Sequence, residues 1–264
     1  QIKDKCHLYN EHTLPQKPVG TWNDADLIKE PYRPVVCIGG NDAIAYANWL
    51  AKTTGKPYRL PEFDEWQFAA SAGKKSRFAF GDDLGQSEVC DYENIEDQAN
   101  NAGLKQHHNQ RYRSSANCND GAVYHTVVGM YRPNDLGLYD MMGNVRELMQ
   151  TCTGYHKDDP KKCQSFAVGG SGWHWIPRPS NEQDSMPFIG SIEGFRLVLD
   201  SGDTPEVAES TAKFVAGLAE AQQKAEVEHQ RWKQLPESPE GLTATLTANN
   251  QVNLAWSGTE MEGV

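Results

Sequence analysis

The stretch Gly137-Leu138-Tyr139-Asp140-Met141-Met142-Gly143-Asn144-Val145-Arg146-Glu147-Leu148 constrains this chain more than any other. Asp140 and Glu147 bracket a Gly-Asn pair, and Gly-Asn favours a tight turn with positive φ. Such a turn can aim backbone carbonyls between two acidic side chains. That is the all-oxygen, geometrically tolerant arrangement Ca²⁺ prefers. The competing reading is a β-turn whose acids face water, and the spacing alone does not separate the two.

Charge narrows the partners. A net charge of -11 and a pI near 5.2 argue against nucleic acid or an anionic membrane surface. No apolar run approaches the length of a membrane span, and the start Gln1-Ile2-Lys3-Asp4-Lys5 is no signal peptide. Six cysteines are scattered without a Cys-x-x-Cys pair, which speaks against zinc and against a thioredoxin-type site. An even number in a loop-rich chain points to disulfides and an oxidising compartment. Of the fifteen connectivities open to six cysteines, the preferred one is Cys152–Cys163 across a short polar loop, Cys90–Cys118 around the middle of the chain, and Cys6–Cys37 near its start. Reduced, buried cysteines are the alternative.

Pro34–Ile38 reads as a short strand, ended by Gly39-Gly40. Asn41 or Asp42 then starts a helix to Lys52 with Gly55 as its stop, its apolar stripe being Ile44, Ala47, Trp49 and Leu50. A second helix follows Pro61, with Glu62, Asp64 and Glu65 at its dipole-favoured end and Trp66, Phe68 and Ala69 as core. Residues 81–130 read as loop, and His107, His108 and His125 within them as solvated.

The central stretch resembles the GLYDMxGNVWEW signature of the formylglycine-generating enzyme (sulfatase-modifying factor) family. Three further segments agree in order: residues 34–73, Val-Gly-Gly-Ser-Gly-Trp at 168–173, and Glu-Gly-Phe-Arg-Leu-Val at 193–198, so the resemblance covers roughly residues 33 to 200. It implies an α+β, C-type-lectin-like fold with little regular secondary structure. It also implies two calcium sites. The first would use the Asn94 side chain, the Ile95 carbonyl, Asp120 and the Ala122 carbonyl. The second would use Asp140, the Gly143 and Val145 carbonyls and Glu147. A cation can order a loop that lacks hydrogen-bonded neighbours.

The family's catalytic members oxidise a substrate cysteine with O₂ through copper held by two thiolates, and soft sulfur is what selects Cu(I). The resemblance places that pair at the third and eighth residues after Ser171, where this chain has His174 and Pro179. No copper is expected. What remains is a region of Ser171, Trp173, His174, Trp175 and Arg178, with Phe188 nearby. Aromatics beside a few polar groups suit a sugar, a peptide or a partner protein; equally, the tryptophans can complete the core.

After residue 202 a helical pattern runs from Asp203 or Thr204 to about Leu235, with Val207, Phe214, Val215, Leu218 and Ala221 on one face, and reads as a projecting connector. A linker follows from residue 236. Leu242–Leu246 and Gln251–Trp256 alternate like strands and resemble the first two of a fibronectin type III domain, which implies a longer parent polypeptide. The expected organisation is therefore a family domain over 1–202 lacking its N-terminal part, a connector over 203–235 and a partial β-sandwich over 236–264. The expected role is a non-catalytic, calcium-stabilised binding or assembly module of a secreted, periplasmic or cell-surface protein, with a protein or glycan partner. The alternatives are a diverged oxidoreductase or maturation enzyme, and a structural subunit of an envelope or filament complex.

Overall fold

The computed structural model describes residues 5–10, 18–83, 85–110, 115–178, 184–186, 189–200, 209–234, 243–246 and 252–255. In order, the elements are β1 (Cys6–His7), β2 (Pro18–Gly20), α1 (Ala25–Ile28), α2 (Gly40–Thr54), β3 (Tyr58–Arg59), α3 (Phe63–Ser71), α4 (Gln98–His108), β4 (Arg146–His156) and β5 (Asp159–Gly169). They continue with β6 (Asp184–Met186), β7 (Glu193–Gly194), β8 (Val198–Leu199), α5 (Glu209–Lys233), β9 (Thr243–Leu246) and β10 (Val252–Ala255). Helix and sheet are mixed, as expected for an α+β chain, and the long segments between them carry much of the fold.

The frame is a four-stranded sheet in the order β6-β5-β4-β7. β4 and β5 form an antiparallel ribbon, and β7 joins β4 in parallel, with Arg146 opposite Glu193 and Glu147 opposite Gly194. Only the root of the ribbon is buried: the first four residues of β4 and the last four of β5. α2 covers it through Ile38, Ala43, Leu60, Leu148, Phe166 and Val168. α3 covers it through Trp66, Ala70, Met141, Met142, Met149 and Ala167.

Both helices end as their sequences dictate. α2 stops at Gly55 with φ +69°, and Asp42 closes its start by accepting from the Gly39 N–H at 3.1 Å. The faces they bury differ from expectation. Trp49 and Phe68 are exposed at 57% and 62%, because the sheet takes the small side of α2 (Gly40, Ala43, Ala47) and the Trp66 side of α3. Pro34–Ile38 is no strand: Cys37 has φ +61° and its N–H donates to the Gly190 carbonyl. A disulfide to Cys6 holds it there.

All three expected disulfides are present, Cys6–Cys37, Cys90–Cys118 and Cys152–Cys163. Three bridges fit a chain that folds outside the reducing cytoplasm. Residues 98–108, expected as loop, form α4, started by Asp97 accepting from the Asn100 N–H. Its low apolar content hid it. Residues 193–199 carry two short strands: β7 joins the main sheet, whereas β8 pairs with β3. No described helix is long and apolar enough to cross a membrane.

α5 lies against the domain instead of projecting from it. Ala221, His229 and Trp232 are buried, while Phe214 and Val215 stay about half exposed. Gln222 donates to the Val128 and Gly129 carbonyls, and Asn119 donates to the Trp232 carbonyl. The start expected at Asp203 or Thr204, Val207 included, lies outside the described residues. β9 and β10 pair antiparallel, Val252 opposite Leu246.

Candidate functional site

Asn144, at φ +60°, ties the central turn to two other segments. Its N–H donates to the Asn94 carbonyl at 2.7 Å, and its side chain accepts from the Thr126 N–H at 2.8 Å and donates to the Thr126 carbonyl. The loop carrying Asn94 and Ile95 is thereby pinned beside the loop carrying Asp120 and Ala122.

The four residues of the first expected cation site converge. The Ile95 and Ala122 N–H groups donate to the two oxygens of Asp120, at 2.8 and 2.7 Å. Asn94 donates its amide to the Tyr124 carbonyl, which leaves its own Oδ1 buried without a partner. Asp97 joins them: Asp97, Asp120 and the Cys90 sulfur have ligand atoms within 4.8 Å of one another. That sulfur is in a disulfide and offers no thiolate. Burial pushes Asp97 up to about 7, and burial with Asp97 alongside lifts Asp120 well above the usual carboxylate range. Two buried carboxylates lie together, and the neighbouring segment carries an unpartnered buried amide oxygen; these are the oxygen types a hard divalent cation takes.

The second expected site fits less completely. Asp140, at φ +54°, accepts from the Gly129 N–H through one oxygen, and its Oδ1 is buried without a partner. Glu147 is already engaged. Arg196 grips both its oxygens at 2.6 Å, and the Trp66 indole N–H donates to one of them at 2.7 Å. Val145 packs among Cys6, Leu8 and Val36. Gly143 donates to Glu93, a buried carboxylate that burial and then Asp140 push up to about 8. Glu93 and Asp97 went unread in the sequence because a lone loop acid beside a polar run ordinarily faces water.

The tryptophan region is partly core. Ser171, Trp173 and His174 are 0%, 0% and 3% exposed, whereas Trp175 is half-buried and Arg178 exposed. Ser171 Oγ accepts from the Arg178 N–H at 2.9 Å. Two guanidinium groups lie over the Trp175 ring, Arg146 at 4.8 Å and Arg178 at 5.2 Å, and both pair with the same Asp184 oxygen. Beneath it, both His174 ring nitrogens, the Trp173 indole N–H and both Glu193 oxygens are buried without hydrogen-bond partners. Burial, then Arg146 and Arg178, press the His174 imidazole down to about 3, so it is neutral. Burial lifts Glu193 to about 7. Arg146, Asp184 and Glu193 were not expected here; the parallel pairing of β7 with β4, invisible in the sequence, brings Glu193 to Arg146. Pro179 and Phe188 lie outside the described residues. The histidines also differ from expectation: His107 contacts the Tyr124 hydroxyl, His108 the Asn10 carbonyl, and His125 is buried.

Carboxylate-lined turns behind a short-stranded sheet, beside an aromatic-arginine surface, define a small α+β domain of loop-built sites. Residues 10–201 match the sulfatase-modifying factor enzyme 1-like domain, and the chain belongs to that family. The Streptomyces coelicolor formylglycine-generating enzyme is 35% identical over 126 residues, 47% of this chain and 33% of that protein. The Bos taurus "inactive C-alpha-formylglycine-generating enzyme 2" is 34% identical over 116 residues, 43% of this chain and 31% of that one. The chain thus spans about a third of either relative's length. The structure of PvdO from Pseudomonas aeruginosa superposes with a TM-score of 0.51 and 27% identity, over 72% of this chain and 67% of that one. The family holds both enzymes and members named inactive.

Proposed function

We propose that this chain is a non-catalytic, cation-stabilised binding or assembly module of a secreted or cell-surface protein, and that Trp175 and Arg178 present its partner-binding surface. One observation carries the reading: all six cysteines are in disulfides, so no thiolate is available to hold copper. His174 and Pro179 occupy the positions where the family resemblance puts the copper pair, and a neutral imidazole walled in by tryptophans does not replace two sulfurs. Asn94 and Asp120, with the Ile95 and Ala122 carbonyls, would hold one calcium, and Asp140, with the Gly143 and Val145 carbonyls and Glu147, a second; the chemistry there is to neutralise and order the loops. A half-buried indole beside two arginines suits a protein or glycan partner. The β9–β10 hairpin is taken as the opening of a fibronectin type III-like domain, with α5 as the spacer before it.

The test is a metal inventory by mass spectrometry with thermal melting in EDTA. One or two calcium ions per chain, no copper and a lowered melt are expected; stoichiometric copper or iron would sink the reading.

A second reading, a diverged enzyme, draws on His174 and Trp173, whose ring nitrogens are buried without hydrogen-bond partners, and on the buried Glu193–Arg146 pair. There His174 or Glu193 would move a proton at a bound substrate. His174→Phe separates the two. It should leave partner binding through Trp175 intact in a binding module and abolish turnover in an enzyme.

A further inference from the structure

A cavity lies on the α5 side of the 121–127 segment, away from Trp175 and Arg178. It measures about 690 Å³ and opens between α1 with the residues after it, the 121–127 segment, and α5. That volume is in the range of small-molecule sites, about 300–1,000 Å³. α5 falls beyond the residues matched to the family domain, so one whole wall is supplied by an element the family match does not include.

His125 lines the cavity, is 4% exposed, and has no hydrogen-bond partner on either ring nitrogen. Leaving both nitrogens of a buried imidazole unsatisfied costs stability. A neutral imidazole is one donor and one acceptor, so its missing partner must accept and donate. The opposite wall adds His229 from α5, whose Nε2 lies 3.0 Å from the Thr126 hydroxyl.

The lining carries both signs from both elements: Glu30 and Arg33 after α1, and Lys224 and Glu228 on α5, with Lys224 also paired to Glu220. Mixed charge disfavours a polyanion, and the buried imidazoles of His125 and His229 in the lining disfavour a purely apolar guest. A sugar ring would need an open aromatic face. Most aromatics of the lining are engaged with one another: Tyr124 stacks on His107, and Trp232 meets the same ring edge-to-face with its N–H held by Glu228, while Tyr9 packs on Trp173.

From this combination we infer that the α1–α5 cavity is a binding site for a small zwitterion, an amino acid or short peptide. Its carboxylate and ammonium would meet the lining charges of both signs, and its polar atoms would satisfy His125. The site shares Ala122 with the first expected cation site but includes neither Trp175 nor Arg178.

The experiment is a thermal-shift and calorimetric titration of the purified chain with the L-amino acids singly and with di- and tri-alanine. Neutral disaccharides are run alongside. At least one zwitterion should bind one to one and raise the melting temperature. Ala225→Trp, which fills the cavity from the α5 wall, should abolish binding. His125→Phe should weaken it about tenfold. The same change should raise the melting temperature of the ligand-free protein, since an unsatisfied imidazole gives way to a ring of similar shape. No binding by any zwitterion, binding that survives Ala225→Trp, or disaccharides as the only ligands would overturn the inference. So would a His125→Phe protein that is less stable without ligand, because the imidazole would then have a partner within the fold.

Discussion

At position 146 the chain puts a guanidinium, 1% exposed, between two carboxylates and an indole face. Asp184 lies 2.8 Å away, Glu193 3.9 Å, and the Trp175 ring centre 4.8 Å. Burying a cation this deeply is tolerable only while its partners stay. Arg146→Leu is expected to lose about 3–5 kcal/mol in urea unfolding, because the buried Glu193 is left uncompensated while Asp184 keeps Arg178. Adding Glu193→Leu should recover part of that loss. A backbone counterpart is Gly143→Ala: a Cβ there would sit 2.5 Å from the Asn94 carbonyl oxygen and 2.8 Å from its nitrogen, neither of which can step aside. A loss of about 1–3 kcal/mol is expected, read from the same denaturation curve. Asn94, Asp120, Asp140 and Glu147 could be picked out in the sequence because a motif frames them. Arg146 and Glu193 could not, since nothing in a linear reading pairs residues that meet only through a parallel strand contact.

Among the elements, α5 shows where sequence patterning fails. Its helical period was legible, but counting apolar residues selects Phe214 and Val215, which are left half exposed. The docked stripe is Ala221, Ala225, His229 and Trp232, spaced at four, four and three residues, a true helical face built from types that score weakly. Gly217 belongs to the same contact: a Cβ there would fall 1.8 Å from the Tyr32 hydroxyl. Gly217→Ala should help the isolated helix by about 0.5–1 kcal/mol. In the whole chain it should nevertheless speed amide exchange along α5, by prying the helix off Tyr32. His229 sets a pH limit on docking. Burial lowers its folded-state value from 6.5 to about 4. The docked form therefore binds fewer protons than the undocked one, and docking stability is lost as pH falls from about 6.5 toward 4. Amide exchange of α5 against pH should show that slope, and His229→Gln should flatten it.

Over the whole molecule, short strands and long irregular segments are stabilised by devices other than a continuous core. Three disulfides tie the start, the middle and the ribbon, each contributing about 2–4 kcal/mol. Buried carboxylates lie close together at Asp97 and Asp120. Asp120→Asn leaves one of the Ile95 and Ala122 N–H groups without its acceptor, so the melting temperature in EDTA should fall. If a divalent cation serves the pair, the same change should also remove the rise that calcium gives the parent chain; a calcium-dependent rise that survives it would assign Asp120 a purely structural role. The class of fold and all three cross-links could be read from motif order and cysteine spacing. α4 and the docking of α5 could not, because their contacts run through His, Asn and Gly.

The β4–β5 ribbon carries one last consequence. Its root holds Arg146, Glu147 and the approach to Ser171, its tip is exposed, and Cys152–Cys163 spans it between the two. Two strands cross-linked partway along behave as a stiff lever. Any load taken at the tip is delivered to the residues at its fulcrum, so whatever grips the ribbon's end also tugs on Arg146 and, through it, on the Trp175 surface.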